Sequence, residues 1–230
     1  MLPLLYEEPG LVIVDKPSGL AVHRGWDAAE TNALTTLRDQ LGRWVQPVHR
    51  LDRGTSGCLV FALDEESTRE LSAVFVEGTV DKTYLALARG RLASEGGTID
   101  YAIPRSEDGP RVDAVTDWRL VARLEGASLV IAWPRTGRLH QIRRHFRHLG
   151  HPLLGDTTWG DNKANKRLRQ SASLHRLALH ALRLALSFRG HRVEVAAPVP
   201  ADLAEPLAAL GMPRDVLEAS LARAIAARPA

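Results

Sequence analysis

A chain of 230 residues is long enough for one large domain with a substantial core, and 45% hydrophobic with 25% charged residues is an ordinary globular balance. No apolar run reaches the length of a membrane span, and the start, MLPLLYEE, lacks the basic region and cleavage site of a secretion signal. Cys58 is the single cysteine and the net charge is only +3, so an intrachain disulfide and a thiolate zinc cage are excluded and a reducing cytoplasm is expected.

Along the chain, strand-like runs fall at 11–14, 58–63, 82–88, 112–120, 128–133, 180–188 and 192–196. Several alternate with period two, as in KTYLAL at 82–87, which predicts sheet with one covered face. Helical spacing fits 32–41, 65–76, 139–149 and a tail over 201–227 broken at Gly211-Met212-Pro213, with Asp64 or Ser67 placed to cap the second of these. Strands outnumber helices and no strict βαβ alternation exists, so the expected class is α+β with a mixed, mostly antiparallel sheet and flanking helices. One domain is expected over 1–200, followed by a helical extension over 201–230. Cys58 lies inside an apolar strand pattern and reads as small core filler.

The first motif is HRLDRGTSG at 49–57, running directly into an apolar strand. It holds Asp52 between Arg50 and Arg53. Nearby positive charge favours an ionised carboxylate, which suits a nucleophile or an electrostatic stabiliser better than a general acid. An aspartate that only hydrogen-bonds its own turn is the plainer alternative. Next, DKTY at 81–84 opens a strand, where Tyr84 is either a stacking platform for a base or core packing.

Then comes TGRLHQIRRHFRHL at 136–149. Leu139, Ile142, Phe146 and Leu149 share one apolar helix stripe, with Arg143 on its border and Arg144 and Arg147 further out. An arginine at such a border can reach inward to a carboxylate. His140, His145, His148 and His151 invite a metal reading, which is rejected because no Cys or carboxylate accompanies them and their neighbours are arginines. The connection GHPLLGD at 150–156 and LHRLALHA at 174–181 follow. No phosphate loop, dinucleotide fingerprint or nucleophile elbow is present, so no nucleotide cofactor is expected.

Charge is clustered. Residues 135–176 carry ten Lys/Arg against Asp156 and Asp161, a local +8, while the rest of the chain holds 20 bases and 25 acids, or −5. A basic segment on a slightly acidic body is the footprint of a polyanion binder, and a solvated helix face usually mixes signs instead.

In order and spacing, HRLDRGTSG, the KTY at 82–84, GRLHQIRRH at 137–145 and GHPLLGD resemble the RluA-type pseudouridine synthases, over about residues 5–197. KPSGLAVHRGW at 16–26, LRDQLG at 37–42, GDTTWGDNKANKRLR at 155–169 and LHRLALHA are most similar to the members acting on tRNA, although the 101–137 connection is shorter.

The resemblance implies the pseudouridine synthase fold with a central active-site cleft. It also implies isomerisation of uridine to pseudouridine in structured RNA, with tRNA first and uridine 65 its position. The alternatives are 23S ribosomal RNA or a non-catalytic RNA chaperone. By the same resemblance Asp52 is the nucleophile, by attack on the sugar or by removal of a ribose proton. Tyr84 stacks on the uracil and assists deprotonation at carbon 5, while Arg143 pairs with Asp52. Ile142 lines the uracil pocket, and Arg50 fills the space of the flipped nucleotide. His49, Arg138, His140, Arg144, Arg147 and Arg176 complete the candidate substrate-binding set. No metal or cofactor, no S4 RNA-binding module, no membrane partner and a monomer are expected.

Overall fold

The computed structural model describes residues 1–23, 31–105 and 109–226, so Arg24, Gly25 and Trp26 of the 16–26 motif and the last residues of the tail lie outside the described residues. In chain order the elements are β1 (Leu4–Glu8), β2 (Leu11–Lys16), α1 (Ala33–Leu41), β3 (Gln46–Pro47), β4 (Ser56–Ala62) and α2 (Glu65–Glu77). They continue with β5 (Asp81–Arg89), β6 (Gly96–Asp100), β7 (Ile103–Pro104), β8 (Arg111–Val112), β9 (Val115–Leu124) and β10 (Ala127–Pro134). Then come α3 (Gln141–His148), α4 (Asn162–Ala172), β11 (Leu179–Phe188), β12 (His191–Ala196), α5 (Ala201–Ala209) and α6 (Arg214–Ala226). Two compact units result: Met1–Lys82 with His180–Pro198, and Thr83–Leu179 with Val199–Ala230.

In the first unit β4 is the central strand. It pairs antiparallel with β2, from Leu11↔Ala62 to Lys16↔Gly57, and parallel with β11 at His180↔Ser56 and Ala181↔Gly57. β1 adds to β2, β3 to β4 and β12 to β11, all antiparallel. All seven residues of β4 are buried, which is why its sequence is a continuous apolar run rather than an alternating one. Leu11, Ile13, Val60, Leu71, Leu186 and Phe188 share one core with Cys58. Cys58 is the core filler expected of it, and burial pushes its thiol up to about 12. α2 lies against β4; Asp64 caps it by accepting from the Ser67 amide at 2.7 Å, and Gly78 ends it in the left-handed region.

In the second unit the strand order is β5-β10-β9-β6, all antiparallel. α3 and α6 lie against β9 and β10, and α5 lies against α4. Ala86, Trp118, Val130, Ile142, Phe146 and Leu179 share its core, with Phe146 edge-on to Trp118 at 5.9 Å. With β4 and β11 parallel in a sheet that also holds antiparallel pairs, the α+β class and mixed sheet are as the strand pattern indicates.

One expectation is corrected here, and one helix is added that the helical spacing did not mark. The stripe 139/142/146/149 buries only Ile142 and Phe146, because α3 is shorter than its apolar spacing and leaves Leu139 and Leu149 at its ends, 42% and 37% exposed. α4 falls in a stretch with no apolar period; it is started by Asp161, whose carboxylate accepts from the amides of Lys163 and Ala164 at 2.9 and 3.0 Å. No helix among the described residues is long and apolar enough to cross a membrane.

Candidate active site

In the first unit the loop carrying Asp52 enters β4 and is stitched to the turn that follows β2. Lys16, with no exposed surface, donates from Nζ to the carbonyls of Pro17 (2.9 Å), Leu20 (2.7 Å) and Arg53 (3.3 Å). Arg53 Nε donates to the Gly19 carbonyl at 2.8 Å and the Gly19 amide returns a bond to the Arg53 carbonyl at 2.8 Å. Ser18 Oγ donates to the Gly54 carbonyl at 2.8 Å. A buried ammonium is tolerated only when its donors are used, and here they hold the loop backbone in place. Asp52 itself is half-buried, and the Thr55 amide closes a turn onto its carbonyl at 3.0 Å. Arg50 is exposed.

His49 precedes this loop. Its Nε2 accepts from the Val60 amide at 3.0 Å, and its ring stacks on Phe75 at 4.4 Å. Burial first, and the Lys82 charge second, push its pKa down to about 3. The ring is therefore neutral, and one nitrogen is committed to the scaffold. Buried Ser56 Oγ meets His180 Nδ1 at 2.8 Å, which ties β4 to β11.

In the second unit Tyr84 is a half-buried residue of β5 opposite Ala132 on β10. Arg143 on α3 is buried and makes a two-pronged contact with Asp156, Nε to Oδ2 at 2.7 Å and Nη2 to Oδ1 at 2.9 Å. Asp156 Oδ1 also accepts from the Thr158 and Trp159 amides at 2.9 Å each. Burial pushes this carboxyl up, but the Arg143 and amide hydrogen bonds and the Arg143 charge outweigh it and hold it below the usual range.

Ile142, beside Arg143, sits in the apolar core with 5% of its surface exposed. His140 adopts φ 55° just before α3, and its Nδ1 accepts from Trp159 Nε1 at 3.1 Å. Arg138 is exposed, with Nε on the Asp113 carbonyl at 3.1 Å. Arg144 donates to the Pro104 carbonyl at 2.9 Å, and Arg147 is exposed. Arg176 differs from the surface role its charge suggests. It is buried and donates to Asp202 Oδ1 (2.8 Å) and to the carbonyls of Leu177 (3.0 Å) and Leu179 (3.1 Å), bracing α5.

Sequence reading missed Lys16, Asp156 and Gln141. Gln141 Oε1 accepts from Thr136 Oγ1 (2.6 Å) and the Arg138 amide (3.0 Å), and its Nε2 donates to the Val115 carbonyl and Thr116 Oγ1, both at 2.9 Å. The Thr116 hydroxyl lies 2.9 Å from His145 Nδ1, and His145 Nε2 lies 3.1 Å from the Tyr101 carbonyl. A carbonyl only accepts, so the proton of His145 is on Nε2 and the Thr116 hydroxyl donates to Nδ1. The signal for Asp156 was present: it is one of only two acids among the ten bases of 135–176. Among the described residues no three His, Cys, Asp or Glu are placed to hold a metal ion.

The two motif-bearing units thus present a clamped carboxylate loop on one side of the sequence and a strand tyrosine with a carboxylate-oriented arginine on the other. Residues 10–148 match the model of the RNA pseudouridylate synthase family, and the chain belongs to that family. Among its relatives, tRNA pseudouridine synthase C of Pasteurella multocida (strain Pm70) is 44% identical, over 80% of this chain and 84% of that protein. The tRNA pseudouridine synthase C of Haemophilus ducreyi (strain 35000HP / ATCC 700724) is 43% identical, over 78% and 83%. Of solved structures, human RNA pseudouridylate synthase domain containing 1 superposes with a TM-score of 0.78 at 27% identity, over 100% of this chain and 96% of that one.

Proposed function

We propose that this protein isomerises uridine to pseudouridine in tRNA, at uridine 65, acting as a monomer in the cytoplasm. The observation that carries the tRNA reading is the extent of the likeness to relatives named tRNA pseudouridine synthase C, above 40% identity along about four-fifths of the chain. Asp52 supplies the nucleophile that permits cleavage of the N-glycosidic bond. Tyr84 stacks on the uracil and assists the later loss of the carbon 5 proton. Arg143, oriented by Asp156, supplies positive charge for the Asp52 carboxylate, and Arg50 occupies the space of the extruded nucleotide. The substrate and product are isomers, so the reaction asks for no redox partner or energy donor. Extrusion costs a few kcal/mol, which phosphate contacts from the basic residues offset.

Mapping pseudouridine on total tRNA and rRNA after incubation with the pure protein tests this reading. New pseudouridine at uridine 65 of tRNA is expected; product in 23S ribosomal RNA alone would replace tRNA as the substrate. Asp52→Asn should abolish product while RNA affinity stays within a few-fold. Turnover by that variant would remove Asp52 from the mechanism.

A further inference from the structure

The second unit contains a cavity of about 260 Å³ lined in part by Tyr101, Arg111, Arg144, Arg147, His148 and Trp159. Its walls are flat rings and flat guanidinium groups in contact. Tyr101 stacks on His148 at 3.5 Å, and the Arg111 guanidinium lies 4.4 Å from the Tyr101 ring. Those of Arg144 and Arg147 lie 5.0 and 5.3 Å from the Trp159 ring. None of these six residues is acidic, so three cations share one small space. Burial and the charge of Arg111 lower the pKa of Arg144, the expected response of a cation crowded by a like charge. A core does not need such an arrangement, and an anion entering the cavity relieves it.

The volume lies just below the ~300–1,000 Å³ of small-molecule pockets, which suits one nucleobase rather than a helix. Unpaired RNA bases are read by stacking on aromatic rings and arginine planes, with arginines also taking the phosphates. We infer that this cavity is a second nucleotide subsite, which holds an unstacked nucleotide of the RNA substrate other than the uridine that reacts. The inference rests on the reading of the chain as acting on RNA. Its link to the chemistry is short: the Trp159 amide and Arg143 Nη2 both donate to Asp156 Oδ1, each at 2.9 Å, so the subsite wall and the arginine are braced by one carboxylate atom. Occupation of the subsite thus bears directly on the group that orients Arg143.

Stacking and phosphate contact leave different salt signatures, which makes the subsite testable by titrating the full chain with a tRNA transcript at several salt concentrations. Trp159→Leu keeps the backbone bond to Asp156 and removes the ring. Binding should weaken about five- to a hundred-fold with an unchanged salt slope, and Trp159→Phe should recover most of it. Arg111→Gln, at an exposed position, should make the slope shallower by about one. Affinity within twofold of wild type for a folded Trp159→Leu, or an unchanged slope for Arg111→Gln, overturns the subsite.

AMP titrated alone separates a free nucleotide from one in a strand; tighter binding of AMP than of RNA also overturns it. Pseudouridine mapping with the wild-type protein keeps the two readings apart. Product in ribosomal RNA alone defeats the tRNA reading, and the same variants are then titrated with that RNA under the same criteria.

Discussion

His49 shows how burial sets a titration, with the nearby Lys82 charge acting in the same direction. Because its Nε2 accepts from the Val60 amide, that nitrogen carries no proton in the folded chain, and burial keeps the ring neutral down to about pH 3. The unfolded histidine takes up a proton near its ordinary 6.5. A folded pKa depressed in this way contributes stability that is fully present above pH 6.5 and is lost as pH falls from there toward 3. His49→Gln retains an acceptor that does not titrate. Thermal melts at a series of pH values should show wild type losing more stability than His49→Gln between pH 6.5 and 4, and equal losses would show that the ring is not held neutral. Asp156 works in the same sense at lower pH: its carboxyl is held below 3.8, so its contribution is kept above that value and lost on further acidification. Asp52 was legible as a candidate from its two arginine neighbours alone. Lys16 was not, because a lysine where a strand runs into Pro-Ser-Gly reads as solvated until its three carbonyl partners are seen around it.

Among the elements, β4 depends most on one residue. Gly57 sits at φ +107°, where a Cβ would lie 2.2 Å from the Ala181 carbonyl oxygen of β11. No side-chain adjustment relieves a clash with backbone, so the parallel pairing of β4 and β11 requires glycine here. Gly57→Ala should destabilise the fold by about 2 kcal/mol or more in urea unfolding and should lower isomerase activity, since the Asp52 loop feeds this strand. A stability loss below half that size would mean that the two strands separate freely. α3 gives the complementary lesson. Its stripe predicted the burial of Ile142 and Phe146 and could not predict that of Gln141, Arg143 and His145. Hydropathy treats those three as surface; they are buried because Thr116, Asp156 and Tyr101 satisfy them, and all three partners lie outside the helix.

At the scale of the molecule, seven of the ten bases of 135–176 divide into two kinds. Arg135, Arg143 and Arg176 are held by Asp117, Asp156 and Asp202. Lys163, Lys166, Arg167 and Arg169 project from α4 to solvent. This helix is anchored by Asp161, which both caps it and pairs with Arg89, so its cations are carried on a fixed element. Replacing all four by Gln should leave the fold intact, weaken tRNA binding and make its salt slope shallower by up to about three to four units. An unchanged slope would put α4 away from the RNA. The charge count therefore overstated how much of the basic segment faces outward, since Arg143 and Arg176 are buried.

The sequence by itself determined the class of elements, the continuous apolar β4 and the motif residues that mark the family, because period, propensity and local charge are properties of neighbours along the chain. Only the tertiary structure decided which charges are spent inside the fold. Asp156 stands 13 residues from Arg143, Lys16 grips a carbonyl 37 residues away, and Trp159 lies 58 residues beyond Tyr101 in the wall of one cavity. Such pairings follow from how strands and helices pack, and no local pattern records them.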